Sequence, residues 1–331
     1  MWTFLWLLGG CAGLGPDGGE TGWTSGSDSG GSVPDSWIGS EPGAGLGASL
    51  AVGSPGAWAG APWGEDGAVW SLGATLELDL DGTTAVSLGV GLALSDAGVL
   101  AAGAPLSGSG AGAVARGDRA DLESLDGGAH GARLLWSGEG LWALAGATLW
   151  EDDTPRTLPE RGGGLADVDG LAAVGLPRGP DALWHDGQTW LRTQDQDQAG
   201  YALCAADLDG DGTVDLAVGA PGTSQVHLLL GPIQDHELDQ HVLEGPGGRF
   251  GHALACDTGV LVVGAPRAYE GHGAVWVLAS PFALETVGEP TLSGEVLGDQ
   301  LGAAVALFDD QVWAGAPGVD AGAGQVLRFN R

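Results

Sequence analysis

The chain has 331 residues, with 43 acidic against 11 basic side chains and a formal charge of −32. Every basic residue is arginine, which excludes a Walker A phosphate loop and a Schiff-base lysine. The acidic balance excludes nucleic acid as a partner, because a phosphate backbone would be repelled rather than neutralised.

Residues 1–11, MWTFLWLLGGC, form a short apolar run ending in small residues and a cysteine. They resemble a bacterial lipoprotein signal, in which the cysteine, here Cys11, is lipidated and becomes the new N-terminus. On that resemblance the chain is exported to the cell envelope, as an outer-membrane lipoprotein, or to the extracellular surface, with membrane contact only through the anchor on Cys11; a plain secretory signal cut nearby is the alternative. Residues 12–35 are rich in glycine, serine, aspartate and proline, the composition of a flexible linker. Its 24 residues have a mean reach of about 27 Å. No other stretch approaches the ~18 consecutive apolar residues of a membrane span.

The remainder, residues 36–331, repeats. Hydrophobic residues make up 44% of the chain and 64 residues are glycine, which suits a packed all-β body with many tight turns. The word Gly-Ala-Pro or a near variant begins at Gly60, Gly103, Gly146, Gly175, Gly219, Gly264 and Gly315, at intervals of 43, 43, 29, 44, 45 and 51 residues. Each word ends an apolar run, such as LAVGAP (216–221). Upstream of it sits a second word, as in Leu46-Gly47, Phe250-Gly251 and Leu301-Gly302. Downstream comes a third, as in GAVW (67–70 and 273–276). Four short antiparallel strands in each 40–45-residue unit is the period of a propeller blade. Seven units predict a seven-bladed β-propeller, since a ring sandwiches each blade between two neighbours. The 29-residue interval predicts a stunted third blade and keeps a six-bladed ring as the alternative.

After the last Gly-Ala-Pro only one further strand remains, GQVLRFNR (324–331), so the seventh blade lacks an outer strand. SWIGSEPGAGLG (36–47) matches TLSGEVLGDQLG (291–302), the outer strand and turn leading into repeat seven. Residues 36–41 are therefore predicted to complete the last blade and close the ring.

These words resemble the FG-GAP repeat of integrin alpha-chain propellers and related bacterial surface proteins. Phe250-Gly251, Gly264-Ala265-Pro266 and Gly273-Ala274-Val275-Trp276 make the fullest copy. The family includes adhesion receptors, lectin-like modules and accessory domains of enzymes, so fold alone assigns no activity. Its metal signature occurs once in full, Asp207-Leu208-Asp209-Gly210-Asp211-Gly212-Thr213-Val214-Asp215. Carboxylates at alternate positions, glycines for the turn and a final carboxylate after a backbone carbonyl suit calcium, a hard cation that takes oxygen ligands. Asp207, Asp209, Asp211 and Asp215 are the expected side-chain ligands, with the Thr213 carbonyl between them. Repeat four keeps only Asp167-Val168-Asp169-Gly170.

Cys204 and Cys256 fall one register apart on the inner strands of neighbouring repeats, so their side chains are expected on opposite faces; an exported compartment permits a disulfide there, but buried free thiols are the default. There is no G-x-S-x-G, HExxH or CxxC, and the seven histidines are dispersed. Arg116-Gly117-Asp118 spells an adhesion tripeptide, which chance explains. Of the 14 tryptophans, Trp58, Trp70, Trp276 and Trp313 sit on strands and are expected between blades. Trp63, Trp150 and Tyr269 follow Gly-Ala-Pro, in loops on the face opposite the calcium turn, the face integrin-like propellers use for partners. With Arg178 and Arg267 in the same loop class, these five residues are the candidate partner surface. The leading functional expectation is a non-enzymatic, calcium-binding, surface-tethered module for a protein or glycan partner. The alternative is an exported carbohydrate-active enzyme using carboxylates such as Glu151 and Asp152 on the propeller face.

Overall fold

A computed structural model describes residues 35–331, apart from loops 65–66, 74–75, 82–86, 107–111, 117–118, 124–132, 193–196, 234–239 and 283–286 and positions 139, 153, 180, 186 and 281. Cys11, the linker up to residue 34, and His130 and His236 lie outside the described residues. The repeats form seven four-stranded antiparallel sheets arranged as a ring. The inner strands, which include Ser49–Gly53, Gly91–Leu94, Ala202–Ala206 and Ala253–Asp257, surround the axis. A cavity of about 200 Å³ lined by all seven inner strands marks it. Six blades are built from consecutive strands, and the seventh joins the two ends of the chain.

The core is not one mass but seven layers, each between two successive blades. Leu216, Val218 and Ala220 of blade five, for example, meet Ala166 and Leu183 of blade four. Ala217 and Leu228, pointing the other way, meet Leu261 and Trp276 of blade six. Alternate residues of one strand thus serve two different interfaces, which is why these strands read as continuous apolar runs. Trp276 and Trp313 are buried in such layers, and Trp58 and Trp70 are half-buried in them, as expected.

The recurring glycines mark where blades approach most closely. A Cβ on Gly60, Gly219, Gly264 or Gly315 would overlap the carbonyl of Gly89, Gly251, Gly302 or Gly47 in the next blade. Gly89, Gly251, Gly302 and Gly47 themselves have φ near +90°, a conformation that L side chains rarely adopt. Their neighbours form isolated parallel bridges back to the preceding blade, Leu88 to Gly67, Leu301 to Gly273 and Leu46 to Gly324. The two sequence words are thus the two halves of one inter-blade contact, and the Gly315–Gly47 and Leu46–Gly324 copies of it join blade seven to blade one.

Closure follows the predicted path with one shortening. Strand Asp35–Ile38 pairs antiparallel with Gln325–Asn330, Ser36 opposite Leu327 and Trp37 opposite Val326. Gly39 N–H adds one bond to the Gly324 carbonyl at 2.9 Å, after which the chain leaves the sheet, so residues 40–41 form a turn rather than strand. Trp37 stacks on Trp313 with centroids 5.2 Å apart, and the Arg328 guanidinium lies within 5.6 Å of both rings.

Blade three is complete rather than stunted. Its strands are Arg133–Ser137, Gly140–Ala145, Thr148–Glu151 and Thr154–Thr157. The short interval is absorbed by a loop, because only residues 146–147 join the second and third strands, where blade one uses 62–67 and blade six 266–273. The six-bladed alternative falls with it.

Candidate metal loop and binding face

The nine-residue acidic motif joins the first two strands of blade five, Ala202–Ala206 and Asp215–Ala220. Carboxylate oxygens of Asp207, Asp209 and Asp215 lie within 4.8 Å of one another, the one such potential metal cluster among the described residues. Among the described residues no arginine pairs with these acids. An all-oxygen donor set of concentrated negative charge fits a hard cation.

The five predicted ligands do not stand alike. Asp207 accepts N–H bonds from Gly210 at 2.7 Å and Gly212 at 3.0 Å, and Asp209 accepts one from Asp211 at 3.0 Å. These bonds wind the loop into a compact turn, with Gly210 and Gly212 at positive φ. Asp211 stands outside the three-residue cluster, and its Oδ1 accepts the Thr213 N–H and hydroxyl at 2.8 and 2.6 Å. Those bonds favour its ionised form and hold its pKa below the usual range. Asp215 is fully buried and accepts the N–H groups of Leu208 at 2.7 Å, Asp209 at 3.2 Å and Gly231 at 2.6 Å. Burial pushes its pKa up, against the pull of the Gly231 and Leu208 bonds. Asp215 therefore positions the loop as well as facing the cluster, a structural share that the motif alone does not reveal.

The loop is tied to blade six. The Gly259 N–H donates to the Asp207 carbonyl at 2.9 Å. Nearby, Cys204 and Cys256 form a disulfide with Cα atoms 5.9 Å apart, which corrects the expectation of free thiols. The two residues do fall on opposite faces of equivalent strands, as their register predicts. Successive blades are stacked face against face, however, so opposite faces of neighbouring blades point at each other. In repeat four, Asp167 Oδ1 caps a tight turn through the Gly170 N–H at 2.7 Å.

The other face carries the loops that follow Gly-Ala-Pro and the connections between blades. Trp63 is 56% exposed and Tyr269 45%, and Arg178 and Arg267 are exposed in the same loop class. Trp150 is not there. It lies on strand Thr148–Glu151, opposite Ala143 and Pro155, and packs with Trp136 between blades two and three. Only Gly146-Ala147 separates the two strands, so the chain is back in the sheet before Trp150. Sequence reasoning missed Leu106, Val296 and Leu297, exposed on the same face. Leu106 directly follows Gly-Ala-Pro, a signal that would have found it. Glu151 and Asp152 are engaged in structure: Glu151 pairs with Arg156 at 3.1 Å, and Asp152 accepts the Leu141 N–H at 3.0 Å.

The FG-GAP repeat family matches residues 199–229, the first three strands and acidic loop of blade five. The chain is a seven-bladed β-propeller that carries an FG-GAP repeat in blade five. Human phosphatidylinositol-glycan-specific phospholipase D is 44% identical over 91 residues, 20% of this chain and 11% of that protein. Integrin alpha-PS2 of Drosophila melanogaster is 31% identical over 139 residues, 32% of this chain and 10% of that protein. The matched region thus spans about a tenth of these curated relatives. Among solved structures, virginiamycin B lyase from Staphylococcus aureus superposes with a TM-score of 0.65, covering 90% of this chain and 99% of that one at 9% identity, a likeness of fold alone. The computationally designed Ika8 protein gives a TM-score of 0.51 at 16% identity, over 85% and 82% of the two chains. A disulfide between neighbouring blades suits an oxidising, exported compartment. Among the described residues no helix is long and apolar enough to cross a membrane.

Proposed function

We propose that this FG-GAP propeller is a calcium-binding, surface-tethered, non-enzymatic module that holds a protein or glycan partner on the face opposite its acidic loop. The observation that carries the reading is the gathering of exposed Trp63, Leu106, Tyr269 and Leu297 with Arg178 and Arg267 on that one face. Exposed aromatic and arginine side chains are the residue types enriched where proteins bind. Trp150 has no part in this surface.

Calcium would be held by the carboxylates of Asp207, Asp209 and Asp215, with Asp211 and the Thr213 carbonyl as the remaining oxygens of the motif. When bound, the ion supplies positive charge that offsets the repulsion among these acids. The chain's own residues already set the loop: Asp215 anchors its base through three N–H bonds, and Gly259 ties it to blade six. The ion's role in this reading is to stiffen the junction of blades five and six, far from the partner face. Tethering would run through a lipid on Cys11.

A glycan array and a hydrolysis screen on one purified sample test the partner reading. The expected result is binding without turnover, lost on Trp63→Ala with Tyr269→Ala at unchanged melting temperature. Turnover of a bound glycan, or binding indifferent to that double substitution, contradicts it.

A further inference from the structure

Five of the eleven arginines in this strongly acidic chain, Arg133, Arg161, Arg178, Arg249 and Arg267, come from three different blades yet share the loop face. Arg133 begins the inner strand of blade three, and Arg161 lies in the connection from blade three to blade four. Arg178 follows the second strand of blade four, and Tyr201 precedes the inner strand of blade five. Arg133, Arg161, Arg178, Gln198 and Tyr201 line one cavity of about 280 Å³.

The cavity wall is pre-arranged. The guanidinium of Arg249 lies 5.2 Å from the centre of the Tyr201 ring and that of Arg133 5.9 Å. Arg249 Nη2 donates to Gln198 Oε1 at 3.2 Å, and Tyr201 packs on His252 with centroids 4.7 Å apart. Among the described residues no carboxylate pairs with Arg161, Arg178, Arg249 or Arg267. Glu160, next in sequence to Arg161, lies against Gly179. In a chain of charge −32 acids are abundant, so Arg161, Arg178, Arg249 and Arg267, ion-paired with none of them among the described residues, make a positive site that folding alone does not require.

We propose that this pocket binds an oxyanion, a carboxylate, sulfate or phosphate carried by a small ligand or a glycan, with Arg161 and Arg178 as its principal donors and Tyr201 as its floor. A guanidinium presents a planar fork of N–H donors that matches such groups two bonds at a time. The volume lies just below the usual range of ligand pockets, which suits one charged group and its immediate carrier rather than a long chain. The same positive field reaches the axis. His252 is held neutral, its pKa pushed down to about 3 by burial and then by Arg249, Arg133 and Arg267. The inference rests on the reading of this face as a binding face and deepens it by naming the ligand chemistry.

The test is calorimetric titration of the full chain, in chelator and at constant ionic strength, with sodium phosphate, sodium sulfate and sodium glucuronate in turn. At least one is expected to saturate a single site. Preference for glucuronate assigns a sugar carboxylate, and preference for phosphate or sulfate assigns the tetrahedral anion. Arg161→Gln with Arg178→Gln, both in exposed loops, should weaken binding by about tenfold or more. Arg156→Gln, on the outer strand of blade three, should leave it unchanged. Lack of saturation by all three anions, or equal weakening in the Arg156 variant, overturns the proposal. The titration needs no macromolecular partner, so it stands even if the array finds none. Glycan binding without small-anion saturation removes the pocket but leaves the partner face.

Discussion

Replacing Trp37 with alanine removes the side chain that fastens the N-terminal strand into the last blade. Trp37 is only 3% exposed, stacks on Trp313, lies under Arg328 and donates through Nε1 to the Gly73 carbonyl of blade one at 2.9 Å. A buried tryptophan removes about 150–250 Å² from water, and at about 25 cal/mol/Å² that corresponds to about 4–6 kcal/mol. Measured losses for such truncations are about 3–5 kcal/mol, so we expect about 4 kcal/mol here. At about 2 °C per kcal/mol for a chain this long, the melting temperature should fall by about 8 °C. Trp37→Phe keeps an aromatic ring in the stack but loses the Nε1 bond, and should cost about 1 kcal/mol. Thermal unfolding followed by circular dichroism reads both. If Trp37→Ala melts within about 2 °C of the parent, the strand does not close the ring and the argument fails.

Gly219→Ala places a methyl group against the Gly251 carbonyl of the next blade and should destabilise by at least about 1–3 kcal/mol, measured by urea unfolding. Cys204→Ser opens a bond spanning 52 residues, for which the chain-entropy estimate is about 4 kcal/mol; a melting temperature unaffected by reductant would contradict this. His252 has a folded pKa of about 3, below its ordinary value, so its contribution is complete above about pH 6.5 and is lost as pH falls toward 3. Between pH 7 and 4.5 the parent should therefore lose about 2–3 kcal/mol more than His252→Gln, and equal losses would refute the assignment.

The ring was legible because its contacts are written in small residues at fixed phase. Gly60, Gly219, Gly264 and Gly315 recur where no side chain fits, and Trp37 sits in a segment that copies an outer strand. The clustering of Asp207, Asp209 and Asp215 was legible for a similar reason, since the three lie within nine residues of one another in sequence. Features made by stacking one blade on another were harder to read. The Cys204–Cys256 bond required knowing that opposite faces of neighbouring blades meet. The arginine pocket assembles residues as far apart as Arg133 and Tyr201, drawn from three blades. Trp150 was misplaced because a two-residue turn looks, in sequence, like a longer loop. The second role of Asp215 depends on the Gly231 N–H, sixteen residues downstream.

The central proposal is that the loop from Asp207 to Asp215 holds calcium and so stiffens the ring. The most direct test is the melting temperature of the full chain as calcium is raised from chelator through the millimolar range. Extracellular sites of this kind bind at about 0.1–1 mM. At a hundredfold excess over the dissociation constant, stabilisation should reach about 2.7 kcal/mol, or about 5 °C. Asp209→Asn should abolish the shift while leaving the melting temperature in chelator unchanged, since Asp209 contributes one exposed turn bond. Asp169→Asn in blade four should leave the shift intact. Identical melting curves in calcium and in chelator, or an undiminished shift in Asp209→Asn, would contradict the account.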